Sequence, residues 1–239
     1  MYLPVTATGR VPVDGTGLPL FLPAPTGQIQ VALQGFVAFL IEDSAAARLG
    51  QLHDAPYFAA NPQILRAIAL IRNRREQRFD PHTGKPLEFP EPGIVGHDAD
   101  DANRQVFPRL DPAVIGLITL AGSERILLAR NRQRSGFYSL IAGYVESGES
   151  LEEAFRREAL EETGRRVDDV TYWGSQPWPP SGSIMLGFSA VTEDVHATCD
   201  TDGELEEIRW VSRRELPSLP IARPGSIAHK MIMEWYHGD

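Results

Sequence analysis

An acidic motif between residues 143 and 164 constrains the fold of this chain more than any other feature. Its members follow the spacing G-x5-E-x7-R-E-x-x-E-E-x-G and are Gly143, Glu149, Arg157, Glu158, Glu161, Glu162 and Gly164. Ser150 followed by Glu153 is a capping-box pattern for a helix start, and Gly164 suits a helix end. The spacing therefore predicts a loop followed by a helix over residues 151–163.

The predicted helix carries apolar residues and carboxylates on one face. Along this face the residues are Leu151, Ala154 and Phe155, followed by Glu158, Glu161 and Glu162. Packing of the apolar start carries the acids toward a cleft and toward each other, where like charges raise one another's pKa. Clustered carboxylates suit Mg²⁺ or Mn²⁺, which proteins commonly share with substrate phosphates. The matched spacing favours such a site over a solvated helix with surface ion pairs.

The motif closely resembles the Nudix box, the signature of hydrolases that cleave nucleoside diphosphates linked to another moiety. One position departs from the family, because the residue after Gly164 is usually a bulky aliphatic and is Arg165 here, so Val167 is expected to supply the packing. The resemblance implies an α/β fold, the Nudix α/β/α sandwich with a mixed sheet. The order of strands and helices along the chain favours the same class.

A second motif lies just beyond the first, where residues 175–188 read SQPWPPSGSIMLGF. Prolines stiffen this loop, Trp178 offers a flat π surface, and Gln176, Ser181 and Ser183 offer neutral hydrogen-bonding groups. Residue types alone favour a surface turn with a packed tryptophan, or a polyproline PxxP ligand. At its distance from the acidic motif, however, the segment resembles the SQPWPFPxS array that marks the NADH pyrophosphatase branch of the Nudix family.

The resemblance has departures and further supports. The family has Phe, Pro and Gln where this chain has Pro180, Ser181 and Gly182. FPRLDP at 107–112 resembles the family's YPRxDP sequence at the start of the catalytic domain, and ELEEIRW at 204–210 resembles its acidic segment after the substrate loop. The departures concern fine substrate contacts and leave the acidic motif intact.

Position by position, the resemblance implies a metal site and a dinucleotide site. Its metal ligands are the main-chain carbonyl of Ala142 and the carboxylates of Glu158, Glu162 and Glu204, with Glu161 in the same cluster. The residues implied to line the substrate site are Phe107, Tyr144, Gln176, Pro177, Trp178, Pro179, Ser181, Ser183 and Ala228. The simpler alternatives are a solvated Glu204, a core Phe107 and a packing role for Tyr144.

The implied reaction is hydrolysis of the pyrophosphate in NADH or NAD⁺ to nicotinamide mononucleotide and AMP. Mg²⁺ or Mn²⁺ would neutralise the phosphate oxygens and lower the pKa of a bound water, and Glu161 or Glu162 would orient or deprotonate that water. Arg157, Arg156 and Arg130 are candidates for orienting carboxylates or meeting phosphate, and surface or helix-pairing roles fit them equally well. The sequence does not show which of Glu161 and Glu162 orients the water and which deprotonates it.

Other functions compete with this reading. Alternative substrates are ADP-ribose, a dinucleoside polyphosphate, a nucleoside triphosphate and the NAD cap of RNA; the substrate loop disfavours the first three and leaves capped RNA open. A nucleotide-sensing module without turnover would be expected to carry changes in the acidic motif, and none is seen. A scaffold that uses the PWPP sequence as a peptide ligand ranks last.

The strands and helices predicted elsewhere indicate three regions. Residues 29–41 are strand-forming, and Asn61 with Pro62 forms a helix start ahead of an apolar face. Further strands are predicted at 113–118, 125–130, 137–142, 170–173, 184–190 and 207–211, with a last helix at 226–236. The regions are an α+β N-terminal domain over 1–75, a connector over 76–111 and the Nudix domain over 112–239.

The connector resembles a zinc ribbon that has lost its ligands. Most members of the branch carry two CxxC motifs here, and they correspond to Asp80–Thr83 and to Ala99–Ala102 in this chain. Tetrahedral zinc needs four nitrogen or sulfur ligands, and His82, His97 and a few aspartates are a poor set. We therefore expect no structural zinc.

Composition limits the partners and the location of the chain. The net charge of −9 argues against broad binding to a nucleic-acid backbone but leaves a local basic patch open. Cys199 is the single cysteine, which agrees with a reducing compartment. With no signal-peptide pattern and no apolar run long enough to span a membrane, a cytoplasmic protein is predicted. The family resemblance also implies a homodimer.

Overall fold

The computed structural model describes residues 1–90, 93–134 and 136–238 and separates into two compact units. The first unit is Met1–Leu110 with Trp178–Ser183, and the second is Asp111–Pro177 with Ile184–Asp239. Trp178–Ser183, which is grouped with the first unit, belongs to the loop that the sequence predicts to bind substrate. The division into three domains stays a prediction.

The first unit is a sheet-rich α+β structure. Its strands are β1 (Tyr2–Thr6), β2 (Val11–Val13), β3 (Gln30–Leu33), β4 (Phe36–Ile41) and β5 (Gln51–His53), and its helices are α1 (Asp43–Ala47) and α2 (Pro62–Glu76). β4 pairs with β1 in parallel and with β3 antiparallel, so this sheet is mixed and β3 lies at its edge. The strand-forming stretch 29–41 is therefore a hairpin, with Gly35 in its turn at φ 91°.

Helix α2 forms as its sequence predicts. The side chain of Asn61 accepts a hydrogen bond from the N–H of Ile64 at 3.3 Å, and Pro62 occupies the first helical position. The expected apolar face is buried against the β1–β4–β3 sheet and consists of Ile64, Leu65, Ile68 and Ile71.

The predicted irregular connector contains a small antiparallel sheet instead. Its strands are β6 (Leu87–Glu88), β7 (Gly96–Asp98) and β8 (Asp101–Val106), with β7 between the other two. The many Pro, Gly and Asp residues hide these strands because each strand is short and the turns between them are polar.

The second unit is built on one sheet. Its strands are β9 (Asp111–Leu120), β10 (Arg125–Asn131), β11 (Ile141–Tyr144), β12 (Asp168–Trp178), β13 (Ser183–Thr192) and β14 (Leu205–Ser212), and its helices are α3 (Leu151–Thr163) and α4 (Ile227–His237). Among the described residues the strand order is β12-β13-β9-β10-β14, with β11 also paired to β9. The strand expected at 137–142 is wrong in position, since β11 begins only at Ile141.

Apolar side chains on both sides of the central strands explain why helices cover both faces of this sheet. On β9, Ile115 and Leu117 pack in the cluster that holds helix α4, whereas Val114 and Ile118 pack in the cluster that holds α3. Successive residues of a strand point to opposite faces, so two apolar faces require two covering layers. The result is the α/β/α sandwich that the sequence predicts.

Helix α3 has the limits that the acidic motif predicts. Ser150 Oγ accepts from the N–H of Glu153 and the Glu153 carboxylate accepts from the N–H of Ser150, which completes the capping box. Gly164 ends the helix in the left-handed region at φ 67°. Phe155 is fully buried on the sheet, and its ring occupies the space in which Gly116 on β9 has no side chain.

Within the described part of the chain, every helix is too short or too polar to span a bilayer.

Candidate active site

Strand β11 and helix α3 are in close contact where Gly143 faces Glu158. A Cβ built on Gly143 would lie 1.9 Å from Cδ of Glu158 and 2.0 and 2.2 Å from its two carboxylate oxygens. Only glycine therefore lets this carboxylate lie against the strand. The side chain of Glu158 is 13% exposed, and burial raises its pKa despite a hydrogen bond from Arg157.

Glu162 is the most deeply buried acid of the motif. The residue is 5% exposed, and its Oε2 has no hydrogen-bond partner among the described residues. Burial, followed by the charges of Glu158, Asp202 and Glu204, raises the pKa of Glu162 to about 8, while the backbone amide of Ala142 acts in the opposite direction. A buried carboxylate oxygen without a donor, next to other acids, is what a cation would satisfy.

Arg157 holds the loop and the helix of the motif together. Its Nε and Nη2 donate to the two oxygens of Glu149 at 3.1 and 2.7 Å, and Nη2 also donates to the carbonyl of Tyr144 at 2.9 Å. Its Nη1 donates to Glu158 at 2.9 Å and to Glu161 at 3.0 Å. The guanidinium is thus bonded to acids of the motif itself. Of the two roles considered for Arg157, orienting carboxylates and binding phosphate, these bonds favour the first.

The other two predicted acids lie at the edge of this cluster. Glu161 is bound by Arg157 and its side chain is 50% exposed, whereas Glu204 is an exposed residue. The loop before β14 is tied to the end of α3, because the N–H of Asp202 donates to the carbonyl of Glu161 at 2.9 Å. Asp202 Oδ1 in turn accepts from the N–H of Glu204 at 2.9 Å.

Asp202 is an acid of this cluster that sequence reasoning missed. Its charge raises the pKa of Glu162 more than that of Glu204 does. The only signal in the sequence is an aspartate two positions before Glu204, and such a residue looks the same as any acid in a polar turn.

The donor set fits a hard divalent cation in its chemistry. Glu158 and Glu162 supply buried carboxylates, and one oxygen of Glu162 is unpaired. Among the described residues, however, no three His, Cys, Asp or Glu side chains already lie together in an arrangement that could hold a metal ion. The acids at the edge would have to turn inward for a full coordination shell.

The residues predicted to bind substrate within the second unit differ in their accessibility. Tyr144 is 52% exposed and Pro177 is exposed, whereas Ala228 lies on the buried face of α4. Gln176 is also buried, and both ends of its amide are bonded: Nε2 donates to the carbonyl of Gly225 at 2.7 Å and Oε1 accepts from the N–H of Ile227 at 2.6 Å. Gln176 therefore ties β12 to the start of α4.

The rest of the predicted substrate residues are grouped with the first unit. Phe107 is 63% exposed, so the core role considered for it is wrong. Trp178 is half-buried and Pro179 is buried. The hydroxyls of Ser181 and buried Ser183 are 2.8 Å apart and hydrogen-bond to each other.

Gly182 lies in the turn between these serines, where the family has glutamine. Its φ is 72°, and a Cβ there would lie 1.9 Å from Nη1 of Arg72. The backbone conformation therefore favours glycine, and a Cβ would in addition displace the end of the Arg72 side chain.

Arg165, the unusual residue after the acidic motif, is buried and bonded to the backbone. Its Nη1 donates to the carbonyl of Thr163 at 2.7 Å and its Nη2 to that of Val195 at 3.1 Å. Val167 is 4% exposed and packs with Phe155, as expected. The arginine therefore bonds to carbonyls where the family packs an aliphatic side chain.

The ribbon-like segment of the first unit is held by aspartates. Buried Asp80 accepts through Oδ1 from the N–H groups of His82 and Thr83, at 2.7 and 3.2 Å. Buried Asp98 accepts from the Thr83 hydroxyl and, at 2.8 Å, from the N–H of Asp100. The threonine hydroxyl thus joins two aspartate-capped turns. The turn capped by Asp98 begins one residue before Ala99, where the resemblance places the start of the second CxxC motif.

Comparison with known proteins agrees with this geometry. The NUDIX domain family matches residues 109–236. NAD-capped RNA hydrolase NudC of Mycobacterium bovis is 40% identical over 157 residues, covering 63% of this chain and 48% of that protein. Nudix hydrolase 19, chloroplastic, of Arabidopsis thaliana is 44% identical over 157 residues, covering 63% and 36%. NAD-capped RNA hydrolase NUDT12 of Macaca fascicularis is 28% identical over 235 residues, covering 85% and 50%. The chain spans half or less of the length of these curated relatives.

Proposed function

The chain belongs to the NUDIX family, and we propose that it hydrolyses the pyrophosphate bond of NADH or NAD⁺ to nicotinamide mononucleotide and AMP with Mg²⁺ or Mn²⁺. One observation carries the proposal: Glu162 is buried with an unpaired oxygen beside Glu158, at the end of the acidic helix. The names of the relatives, two of which are NAD-capped RNA hydrolases, support the choice of substrate.

The proposed metal ligands are the Ala142 carbonyl, Glu158, Glu162 and Glu204. A divalent ion bound there would neutralise phosphate oxygens and lower the pKa of a coordinated water. Glu162 is fitted to binding the ion because its unpaired oxygen has no competing donor among the described residues.

We assign the task of orienting and deprotonating the attacking water to Glu161. Its side chain is half exposed, so water reaches it, and its hydrogen bond to Arg157 fixes its direction. Arg157 is then a positioning residue, because its donors are used by the carboxylates of the motif and by a backbone carbonyl.

Binding of the dinucleotide is assigned to aromatic and backbone groups. The exposed ring of Tyr144 is available for stacking on a substrate ring, and Trp178 is the second stacking candidate. Gln176 acts through the α4 start that it fixes, since both ends of its amide are already bonded. Pro177, Pro179, Ser181, Ser183, Phe107 and Ala228 stay predictions as substrate contacts.

NAD-capped RNA is the second candidate substrate. The bond to be cut is the same pyrophosphate, and two of the relatives carry this activity in their names. The same acids would serve both substrates, so the choice depends on binding outside the acidic cluster.

A substrate panel tests the proposal directly. NADH, NAD⁺, ADP-ribose, a dinucleoside polyphosphate and NAD-capped RNA are offered with each metal, and the products are separated by chromatography. We expect AMP and reduced nicotinamide mononucleotide from NADH, or release of nicotinamide mononucleotide from capped RNA, and no turnover in the presence of a chelator. A strong preference for ADP-ribose or the polyphosphate would overturn the substrate assignment.

A matched pair of variants tests the site. Glu162→Gln keeps the shape of the side chain and removes its charge, so we expect turnover to fall by about 100-fold or more. Glu152→Gln changes an exposed glutamate on the same helix and is expected to leave turnover unchanged. Equal activity of the two variants would contradict the proposed metal site.

The family resemblance also leads us to propose a homodimer, which sedimentation velocity checks. The cytoplasmic location stays a prediction.

A further inference from the structure

The first unit contains a groove that the proposed hydrolysis does not use. It consists of two adjacent cavities of ≈ 740 and ≈ 670 Å³ that share Ala32 and Gly93 in their walls. The groove runs beside the edge strand β3 and along α2. We call it the arginine groove after the arginines in its wall. The arginine and phenylalanine residues that line it are Arg66, Arg74, Arg75, Arg78, Phe79 and Phe89.

The charge of this groove departs from that of the chain. The chain has 32 Asp and Glu against 23 Lys and Arg, yet no carboxylate belongs to the described residues that line either cavity. Arg75 is paired with Glu76 at 2.6 Å. Arg66 and Arg78 are exposed and form no ion pair with any residue that the structure describes. The groove is thus a local basic surface on an acidic protein, which favours an anionic ligand.

Aromatic rings alternate with these arginines. Phe79 is 54% exposed, and the guanidinium carbon of Arg78 lies 5.9 Å from the centre of its ring. The guanidinium carbon of Arg74 lies 3.6 Å from the centre of the Phe89 ring. An exposed phenylalanine beside arginines is a stacking platform for a nucleic-acid base, because every base has a π face and its phosphate is adjacent.

Neutral amides complete the wall of the groove. The glutamines that line the two cavities are Gln28, Gln30, Gln34, Gln63 and Gln105. An amide side chain both donates and accepts hydrogen bonds, which matches the mixed donors and acceptors on base edges.

The length of the groove favours a polymer over a single nucleotide. Arg66 lines one cavity and Arg75 lines the other. Nine residues of α2 separate them, a rise of ~14 Å along the helix, and they leave the helix on opposite sides. One phosphate group would therefore meet the arginines of only one cavity, whereas a strand presents several phosphates in succession.

We propose that the arginine groove binds single-stranded nucleic acid, with phosphates against the arginines and a base stacked on Phe79. A duplex keeps its bases stacked on each other and cannot offer one to the ring. An acidic peptide would meet the arginines and leave the ring unused. The inference does not depend on the proposed hydrolysis, since it concerns a strand without an NAD cap.

Fluorescence anisotropy tests this binding with a labelled, uncapped single-stranded RNA of about 12 nucleotides, in the presence of a chelator so that no hydrolysis occurs. We expect binding that weakens steeply between about 50 and 200 mM salt. The double variant Arg66→Glu with Arg78→Glu should weaken binding by about tenfold or more and lower the salt slope by about 1. Phe79→Ala should weaken it by roughly tenfold with little change in slope.

The matched control is Arg48→Glu, which reverses an exposed arginine of the same unit outside the groove and should bind as the unchanged protein does. Competition with unlabelled duplex, AMP or a polyglutamate peptide completes the test. The proposal would be overturned if the double variant or Phe79→Ala bound the RNA as tightly as the unchanged protein does. It would also be overturned if duplex, AMP or polyglutamate displaced the label at the concentration at which single-stranded RNA does. Displacement by single-stranded RNA alone supports it.

Discussion

Two buried acids, one in each unit, are stabilised in opposite ways. Asp98 is 4% exposed and Glu162 is 5% exposed, so burial alone does not distinguish them. The pKa of Asp98 is lowered, first by its hydrogen bond from Thr83, whereas burial raises the pKa of Glu162 to about 8. The protein supplies its own hydroxyl and N–H donors to Asp98 and only like charges to the free oxygen of Glu162.

This difference fits a structural role for Asp98 and the metal-binding role that we propose for Glu162. Around Asp98 the donors are a hydroxyl and a backbone N–H of the chain itself, so the charge is held by groups of the protein. Around Glu162 a donor is missing and the neighbouring charges are Glu158, Asp202 and Glu204. A cation from solution is the simplest group that stabilises the second arrangement.

The largest combined effect on turnover and stability should come from Arg157→Ala, which removes the cation shared by three carboxylates of the motif. We expect turnover to fall by about 100-fold, because the ligands lose their orientation. The free energy of unfolding should fall by about 2 kcal/mol, less than for a fully buried ion pair because the group is partly exposed. Urea denaturation and initial rates measure the two quantities.

Arg157→Lys is the matched control for this variant. Lysine keeps the charge but cannot form the two parallel bonds to Glu149, so we expect an intermediate loss of turnover. Full activity of Arg157→Ala would show that the carboxylates orient without it.

Gly143→Ala should have the next largest effect. The added Cβ collides with the Glu158 carboxyl group, so the carboxylate has to move or the strand has to shift. We expect a destabilisation of about 1–3 kcal/mol and a loss of metal affinity, measured by denaturation and by calorimetric titration with Mn²⁺. Gly174→Ala is the control, because a Cβ there meets nothing within 4 Å. Equal behaviour of both variants would contradict the close contact.

The pH dependence of stability in the metal-free protein sharpens the comparison. The folded pKa of Glu162 is about 8 against an ordinary value of 4.5, so between these values the folded state binds the extra proton. The free energy of unfolding therefore falls as the pH rises through this window and levels off above about pH 8. Urea unfolding with a chelator, followed by the fluorescence of Trp173, Trp210 and Trp235 in the second unit, measures the slope.

Glu162→Gln should remove most of this slope, and saturating Mg²⁺ or Mn²⁺ should flatten it in the unchanged protein. Asp98 acts in the opposite sense: because its folded pKa is lowered, its contribution is present above the unfolded pKa and is lost as the pH falls through the folded one. A metal-free stability that rises from pH 5 to pH 8 would contradict the role given to Glu162.

The smallest effect on turnover is expected for Thr83→Ala in the first unit. The change removes the hydroxyl that donates to Asp98 and leaves a buried acceptor without that partner, so hydrogen-exchange protection of β7 and β8 should fall by about 1–3 kcal/mol. Thr83→Ser retains the hydroxyl and should retain protection. Turnover is expected to stay unchanged in both variants, and its loss would show that the two groups of acids are not independent.

Sequence reasoning was most successful where structure depends on near neighbours. The helix over 151–163 has the predicted limits because Ser150, Glu153 and Gly164 lie within the hydrogen-bonding reach of its ends. The strand expected over 137–142 failed because its apolar residues are buried without continuing the ladder. Tyr138 forms only an isolated bridge to Ile221, and an apolar run does not distinguish this from a strand.

The sequence by itself determined the family pattern, the acidic helix with both caps, and the alternation that calls for a layer on each face of the sheet. Only the tertiary structure decided that Gln176 hydrogen-bonds to the start of α4, that Asp202 adds its charge to the cluster, and that Glu162 has an oxygen without a donor among the described residues. The reason is physical: caps and periodicity depend on residues a few positions apart, whereas burial and the sum of charges depend on groups that the fold brings together from distant parts of the chain.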